Sequence, residues 1–138
     1  MKIGINIKGL SELSAQIKIL GSAAELAVEE IVEDVAINTH SIAVKGIASQ
    51  PASGKIYGKH QASAAGQFPM TDTGFLASNV KFEFRTKQNA IVGTDVKYGK
   101  NLEFGMSRVA ARPWLGRSFN QAIEKARGKL KRSFEANR

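Results

Sequence analysis

Two histidines and a few carboxylates are the side chains of this sequence that could perform acid–base or metal chemistry. His40 and His60 are the only histidines, and neither has a carboxylate or a second histidine at metal-ligand spacing. Because a general base or a metal site needs such partners, we expect both histidines to be satisfied or exposed side chains. The sequence therefore predicts no metal site and no catalysis by histidine.

Glu103 is the carboxylate with the most unusual setting, because it lies in the apolar sequence LEFG at residues 102–105. A carboxylic acid in apolar surroundings can act as a general acid. Catalysis by paired carboxylates needs a second one close by, however, and only Asp95 is near in sequence. We therefore expect a structural role for Glu103, in an ion pair with Arg112 or another arginine.

The sequence contains no motif typical of phosphate binding and no residue that could perform thiol chemistry. Gly54-Lys55 and Gly58-Lys59 lack the spacing of a phosphate-binding loop and its strand and helix context. The chain contains no cysteine, which excludes disulfides, thiolate metal sites and cysteine nucleophiles. These observations predict a protein that is not an enzyme and that binds no cofactor.

Composition indicates one folded domain spanning residues 1–138, of which 43% are hydrophobic. No apolar run approaches the length needed to cross a bilayer. The N-terminal residues alternate isoleucine with polar residues, unlike the continuous apolar stretch of a signal peptide. Together with the absence of cysteine, this predicts a cytoplasmic origin and no membrane contact.

The formal net charge of +8 is unevenly distributed along the chain. Residues 23–39 contain five acids and no lysine or arginine, whereas residues 108–138 contain nine lysines and arginines against two glutamates. This polarity suits copies that pair an acidic face with a basic face. The alternatives are a basic nucleic-acid-binding module, with DNA affinity that falls steeply with salt, and a merely solvated helix face. The residues expected at an interface are Glu25, Glu29, Glu33, Arg117, Lys125, Lys129 and Arg132.

Hydrophobic periodicity places helices at both ends of the sequence. Ile3, Ile5 and Ile7 alternate with polar residues and glycine and predict a short strand. Apolar residues then recur at spacings of three and four over residues 10–48, which predicts a long helix starting near Ser11, or two helices joined near Gly21 and Ser22. A second apolar stripe over residues 115–134 predicts a C-terminal helix with Pro113 as its first residue.

The middle of the chain predicts loops and a small sheet. Residues 51–70 are rich in glycine, alanine and serine without hydrophobic periodicity, and we interpret them as a long mobile loop. Residues 71–73 are expected to cap a short helical turn. Residues 80–85 and 90–93 predict a hairpin, and Asp95 is expected to cap a helix that Gly105 ends. The expected fold class is α+β, with the C-terminal helix packed on the antiparallel sheet.

Four features of the sequence, taken in order, carry a family likeness. They are Tyr57, ASAAGQFPMTDTGFLASNV at 62–80, AIVGTDVKYGKNLEFG at 90–105 and ARPWLGRSF at 111–119. The series of a proline-bearing loop, TG-x-L-x-S, VGT…Y…LEFG and ARP-aromatic-L resembles the "gene product ten" tail-component family of lambda-like siphophages. Members are also described as neck or tail-completion proteins. The likeness covers roughly residues 55–120, and its specificity lies in the order of the series.

The resemblance implies a small non-catalytic α+β protein that completes the phage tail or joins it to the head, as part of an oligomeric ring that is often sixfold. It implies as partners other copies of the chain and tail-tube, tail-terminator or head-closure proteins. It implies a location in the host cytoplasm during assembly and, for a retained protein, in the head–tail region of the virion.

The family has no established catalytic residues, so none are carried over to this chain. The sequence has Ala65 where members commonly have proline, and Gly99 where alanine is usual. The motif residues are expected to form a turn and cap, to end a helix against the core and to set the angle of the last helix. They are Asp72, Thr73, Gly74, Leu76, Tyr98, Glu103, Phe104, Gly105, Arg112, Pro113 and Trp114.

Overall fold

The computed structural model describes residues 3–6 and 22–136, and in this part the chain is α+β, as expected. A long helix comes first, two small antiparallel sheets follow, and a second long helix comes last. The elements in chain order are β1 (Ile3–Asn6), α1 (Ser22–Ser49), β2 (Ile56–Tyr57), β3 (His60–Gln61), α2 (Phe75–Ser78), β4 (Val80–Thr86), β5 (Asn89–Thr94), α3 (Lys97–Phe104) and α4 (Leu115–Ala136).

The larger sheet has the strand order β1-β5-β4, and both pairings are antiparallel. β5 pairs with β1 from Ile3 opposite Thr94 to Asn6 opposite Ile91. The β4–β5 hairpin confirms the sequence prediction for these two strands. Alternate residues of β5 are buried, so one face of the sheet meets the core.

Helix α1 buries the face predicted by its apolar stripe. Val28, Val32, Val35 and Ile47 are almost completely buried, and α1 packs against β5, β4 and α4. Thr39 is a buried polar residue on this face, and it donates its hydroxyl to the Val35 carbonyl at 2.6 Å, which satisfies it within the helix. The expected helix start at Ser11 and the last residue of the first strand, Ile7, lie outside the described residues.

Helix α4 presents its apolar stripe to the core, as expected. Leu115 and Ala122 are fully buried, and Phe119, Ile123 and Leu130 pack beside them. The helix meets the sheet at β1, but its larger contact is with α1. The two long helices therefore form a layer of their own, because each supplies a wide apolar stripe that the small sheet alone cannot cover.

Residues 51–70, which the sequence predicts to be a long mobile loop, contain a short hairpin formed by β2 and β3. Hydrogen bonds connect the two ends of this hairpin, because the Ala62 carbonyl accepts from the backbone amides of Ser53 and Gly54. The segment also reaches the core, where Phe68 packs and Ser63 is buried. Two-residue strands carry too short a pattern to be recognised in a sequence. The mobility of the segment stays a prediction.

Helix α2 begins at Phe75, and its N-cap residue is Gly74 rather than one of the predicted capping residues at 71–73. Gly74 is the N-cap residue and has a φ of 75°, a conformation that favours glycine. The Gly74 amide donates to the Thr71 hydroxyl at 2.7 Å, so Thr71 closes the turn before the helix and does not cap the helix itself.

The expected starts of α3 and α4 are also wrong. The N-cap of α3 is Val96, without a side-chain hydrogen bond, and Asp95 is exposed. Helix α4 begins at Leu115, two residues after Pro113. Gly105 does end α3, with a φ of 76°, and this prediction is confirmed.

Candidate functional site

Glu103 lies in the last turn of α3 and reaches the first turn of α4. Its carboxylate accepts hydrogen bonds from the backbone amides of Trp114 at 2.7 Å, Leu115 at 2.8 Å and Gly116 at 2.9 Å. The first amides of a helix have no partner within the helix, and a negative charge there also interacts favourably with the helix dipole. Glu103 is therefore the N-terminal cap of α4, supplied from another helix.

The predicted ion pair between Glu103 and an arginine is wrong. Arg112 is buried and turns the other way, donating from Nε and Nη2 to the Ser63 carbonyl at 3.1 and 3.0 Å and from Nη1 to the Ala110 carbonyl at 3.1 Å. The Arg112 backbone amide meanwhile donates to the Leu102 carbonyl at 2.6 Å. Arg112 thus connects the segment 51–70 to the end of α3, because its side chain binds Ser63 and its backbone amide binds Leu102.

Trp114 is fully buried, and its indole Nε1 donates to the Gly99 carbonyl at 3.0 Å. A Cβ atom at Gly99 would lie 2.9 Å from Thr94 Cγ2 and 3.5 Å from Trp114 Cζ2. The absence of a side chain at Gly99 therefore lets α3 approach both residues closely. This close approach gives a packing reason for glycine at position 99.

These contacts join the three family-like stretches in one place. We call Ser63, Gly99, Glu103, Arg112 and Trp114 the motif junction. It connects the 51–70 segment, α3 and the start of α4 through the side chains of Glu103, Arg112 and Trp114, which all bind backbone atoms. Trp114 also fills the core. Sequence reasoning missed Ser63 as a partner, because a backbone carbonyl gives no signal in the residue type.

Other motif residues divide between the core and the surface. Leu76 is buried, as expected of an apolar motif position. Phe104 is 69% exposed, so the expectation that it ends α3 against the core is wrong, because it lies on the side of α3 away from Leu102. Tyr98 is half-exposed and lines a shallow cavity with Phe75. Asp72 and Thr73 are exposed, and Pro113 is half-buried.

Both histidines have partners in the structure. His40 Nε2 lies 3.0 Å from the Val80 carbonyl oxygen, and its ring makes a T-shaped contact with the Phe82 ring. His60 Nδ1 lies 3.6 Å from Asp72 Oδ1, a neighbour that its sequence spacing does not reveal. Within residues 3–6 and 22–136, no group of three or more histidine, cysteine or acidic residues could hold a metal ion.

Some of the charged residues on helices α1 and α4 contact other residues of the same chain. Lys129 Nζ on α4 lies 2.5 Å from Asp34 Oδ2 on α1. Arg117 lies over the Phe68 ring, with its guanidinium carbon 5.1 Å from the ring centre, and donates to the Gly66 carbonyl. Two of the residues expected at an interface thus have partners within the chain. Glu33, Lys125 and Arg132 are exposed, and Glu25 and Glu29 are half-buried, so an interface between copies and DNA binding both stay predictions.

The hydrogen bond to Asp34, with the negative charges of Asp34 and Glu30, raises the pKa of Lys129 above its ordinary value of 10.5. A raised pKa in the folded state adds stability below pH 10.5 that is lost as the pH rises through the folded-state pKa. We expect Asp34→Asn to lower the pKa of Lys129, measured by NMR titration of its side chain. Glu124→Gln, near Arg127 instead, is the control. An unchanged pKa in Asp34→Asn would contradict the pairing.

Comparisons with known proteins add no relative. No family model, no curated protein and no solved structure matches this chain. In the part of the chain that the structure describes, none of the helices is sufficiently long and apolar to span a membrane. The family likeness therefore rests on the ordered motifs of the sequence alone.

Proposed function

We propose that this chain is a non-catalytic structural protein of a tailed phage or prophage, acting in tail completion or head–tail joining as part of an oligomeric ring. The observation that carries the proposal is the ordered motif series at residues 62–119. The motif junction supports it, because it assigns Glu103, Arg112 and Trp114 to holding the backbone together.

Exposed aromatic residues within the motifs supply surfaces for the proposed partners. Phe104 is 69% exposed beside Met106, which is also exposed, and Phe75 and Tyr98 line one shallow cavity. Aromatic and methionine side chains are enriched in protein interfaces, where they bury large apolar areas. We expect tail-tube, tail-terminator or head-closure proteins to contact these side chains, with the motif junction keeping them in place.

The test is deletion of the gene from the phage or inducible prophage that carries it. We expect infectious titre to collapse while separate heads and tails accumulate, as counted by electron microscopy of induced lysates. Supplying the wild-type chain from a plasmid should restore joined particles. Supplying a Phe104→Asp, Tyr98→Asp double variant should not, because both positions would lose the exposed aromatic surface that the partners are proposed to contact.

The matched control is Lys131→Asp, Arg132→Asp, which changes two exposed residues on α4 outside the motifs. It should restore joined particles if the partners contact the aromatic residues, and fail if the basic face is the contact. Normal numbers of joined, infectious particles from the deletion itself would refute the proposal.

A further inference from the structure

Strand β4 lies at an edge of the sheet, because the strand order is β1-β5-β4. Its outer edge has no strand beside it in the described part of the chain, and Lys81–Thr86 are all exposed. An uncovered edge presents backbone amides and carbonyls that can pair with another strand. The composition of β4 indicates which strand that is.

The two faces of β4 differ in character. Phe82 stands opposite Val92 and Phe84 opposite Ala90, so both aromatic rings lie on the face that α1 covers. They are nevertheless 39% and 44% exposed, which shows that they extend beyond the helix. The opposite face of the regular part of the strand carries Lys81 and Glu83, which have opposite charges, and Arg85 follows at the irregular end.

The charges of β4 are self-complementary in one antiparallel register. With Phe82 opposite Phe82 of a second copy, each Lys81 stands opposite the Glu83 of the other chain, which forms two opposite-charge pairs. A shift centred on Glu83 places Glu83 opposite Glu83 and Lys81 opposite Arg85, which is unfavourable. Charge on this edge therefore disfavours indiscriminate pairing and permits a specific one.

A β-bulge limits the length of the pairing. The register of β4 with β5 shifts between Phe84 and Thr86, so Arg85 is out of step with the strand. A register centred on Phe84, which would pair Glu83 with Arg85, therefore uses the distorted end of the strand. The regular part, Val80 to Phe84, is the part that the register centred on Phe82 uses.

Helix α1 also fits this arrangement. It packs against both β5 and β4, so in a continuous sheet the α1 helices of two copies would lie roughly 10 Å apart, given the usual strand spacing. Packed helices have about this separation. Ile37, which is 42% exposed, shares a helix face with His40, whose ring contacts Phe82. Ile37 would be covered between the two helices.

We propose that two copies of this chain pair through their β4 edges, centred on Phe82, to form a two-fold dimer with a continuous six-stranded sheet. The strand that pairs with this edge belongs to a second copy of the chain, because Lys81 of each copy stands opposite the oppositely charged Glu83 of the other. The inference does not rest on the phage proposal, since it uses the sheet edge and not the motif series.

Charge reversal tests the register. The wild-type chain is expected to dimerise reversibly in sedimentation velocity. Lys81→Glu alone and Glu83→Lys alone should each weaken the dimer at least about tenfold, because two attractive pairs become repulsive. An equimolar mixture of these two variants should restore a dimer containing one of each. Arg85→Glu, at the bulge, is the matched control and should leave the dimer unchanged.

Cross-linking provides a measurement that does not depend on affinity. The chain has no cysteine, so Phe82→Cys adds a single thiol at the two-fold axis. Directly opposite residues in an antiparallel pair have Cα atoms about 4.5–5.5 Å apart, which permits a disulfide. Mild oxidation should give covalent dimers of Phe82→Cys and almost none of Phe84→Cys, which stands opposite Val80. A monomeric wild-type chain at high concentration, a mixture that fails to associate, or equal cross-linking at both positions would overturn the proposal.

Discussion

Replacing Trp114 with alanine is expected to lower the free energy of unfolding by about 3–5 kcal/mol, the cost of removing a large side chain from a well-packed core. Trp114 is the largest fully buried side chain in the described part of the structure. It also fixes α3, because its indole donates to the Gly99 carbonyl. The variant therefore loses core volume and one tether of α3 together, and we expect partial detachment of α3 in addition to the loss of stability.

The measurement is urea unfolding followed by far-ultraviolet circular dichroism, because Trp114 is the only tryptophan and its fluorescence is lost in the variant. Trp114→Phe keeps much of the volume but removes the indole donor, so it should cost less, about 1–3 kcal/mol. Phe104→Ala is the matched control, because Phe104 is exposed, and it should change stability by less than about 0.5 kcal/mol. Equal losses for Trp114→Ala and Phe104→Ala would contradict the assigned core.

The sequence predicted the elements of this fold whose signals are local and periodic. The β4–β5 hairpin follows from alternation at Val80, Phe82 and Phe84, and the buried faces of α1 and α4 follow from apolar spacings of three and four. Such patterns repeat over several turns or strand residues, so one misleading residue does not remove them. The α+β class follows from these elements alone.

Helix starts and side-chain partners were not predictable in the same way. Asp95 and Pro113 are residues typical of helix starts, yet α3 begins at Lys97 and α4 at Leu115. The amides at the start of α4 are capped by Glu103, eleven residues before Trp114, so no residue next to the helix needs to supply the cap. A hydrogen-bond partner that tertiary folding supplies from another element cannot be recognised from the sequence next to the helix.

The separation of acidic residues in the first half of the chain from basic residues in the last part contributes to packing within one copy. The acidic and basic segments, α1 and α4, are neighbours within one chain, and Lys129 bonds to Asp34 across that contact. Part of the polarity therefore serves the packing of a single copy. The opposite charges of Lys81 and Glu83 on β4 are the better-defined complementary surface, because a strand edge fixes their spacing and register.

Replacing Glu103 with alanine is expected to lower the free energy of unfolding by about 2–3 kcal/mol, since it removes a charged acceptor from the amides of Trp114, Leu115 and Gly116. Glu103 is half-buried, so water replaces the carboxylate only in part. The loss is centred on the first turn of α4, which also holds Trp114 in the core. Detachment of this turn should therefore loosen the whole motif junction.

Hydrogen exchange at single amides distinguishes this role of Glu103 from a general loss of stability. In Glu103→Ala the amides of Trp114, Leu115 and Gly116 should exchange faster than those of the β4–β5 hairpin, because local opening precedes global unfolding. Glu103→Gln retains one oxygen acceptor without the charge and should cost about 1 kcal/mol. Glu124→Ala, which removes an exposed partner of Arg127 on the same helix, should cost no more than about 0.5 kcal/mol. Uniformly faster exchange throughout Glu103→Ala would mean that the carboxylate stabilises the fold as a whole and not the start of α4.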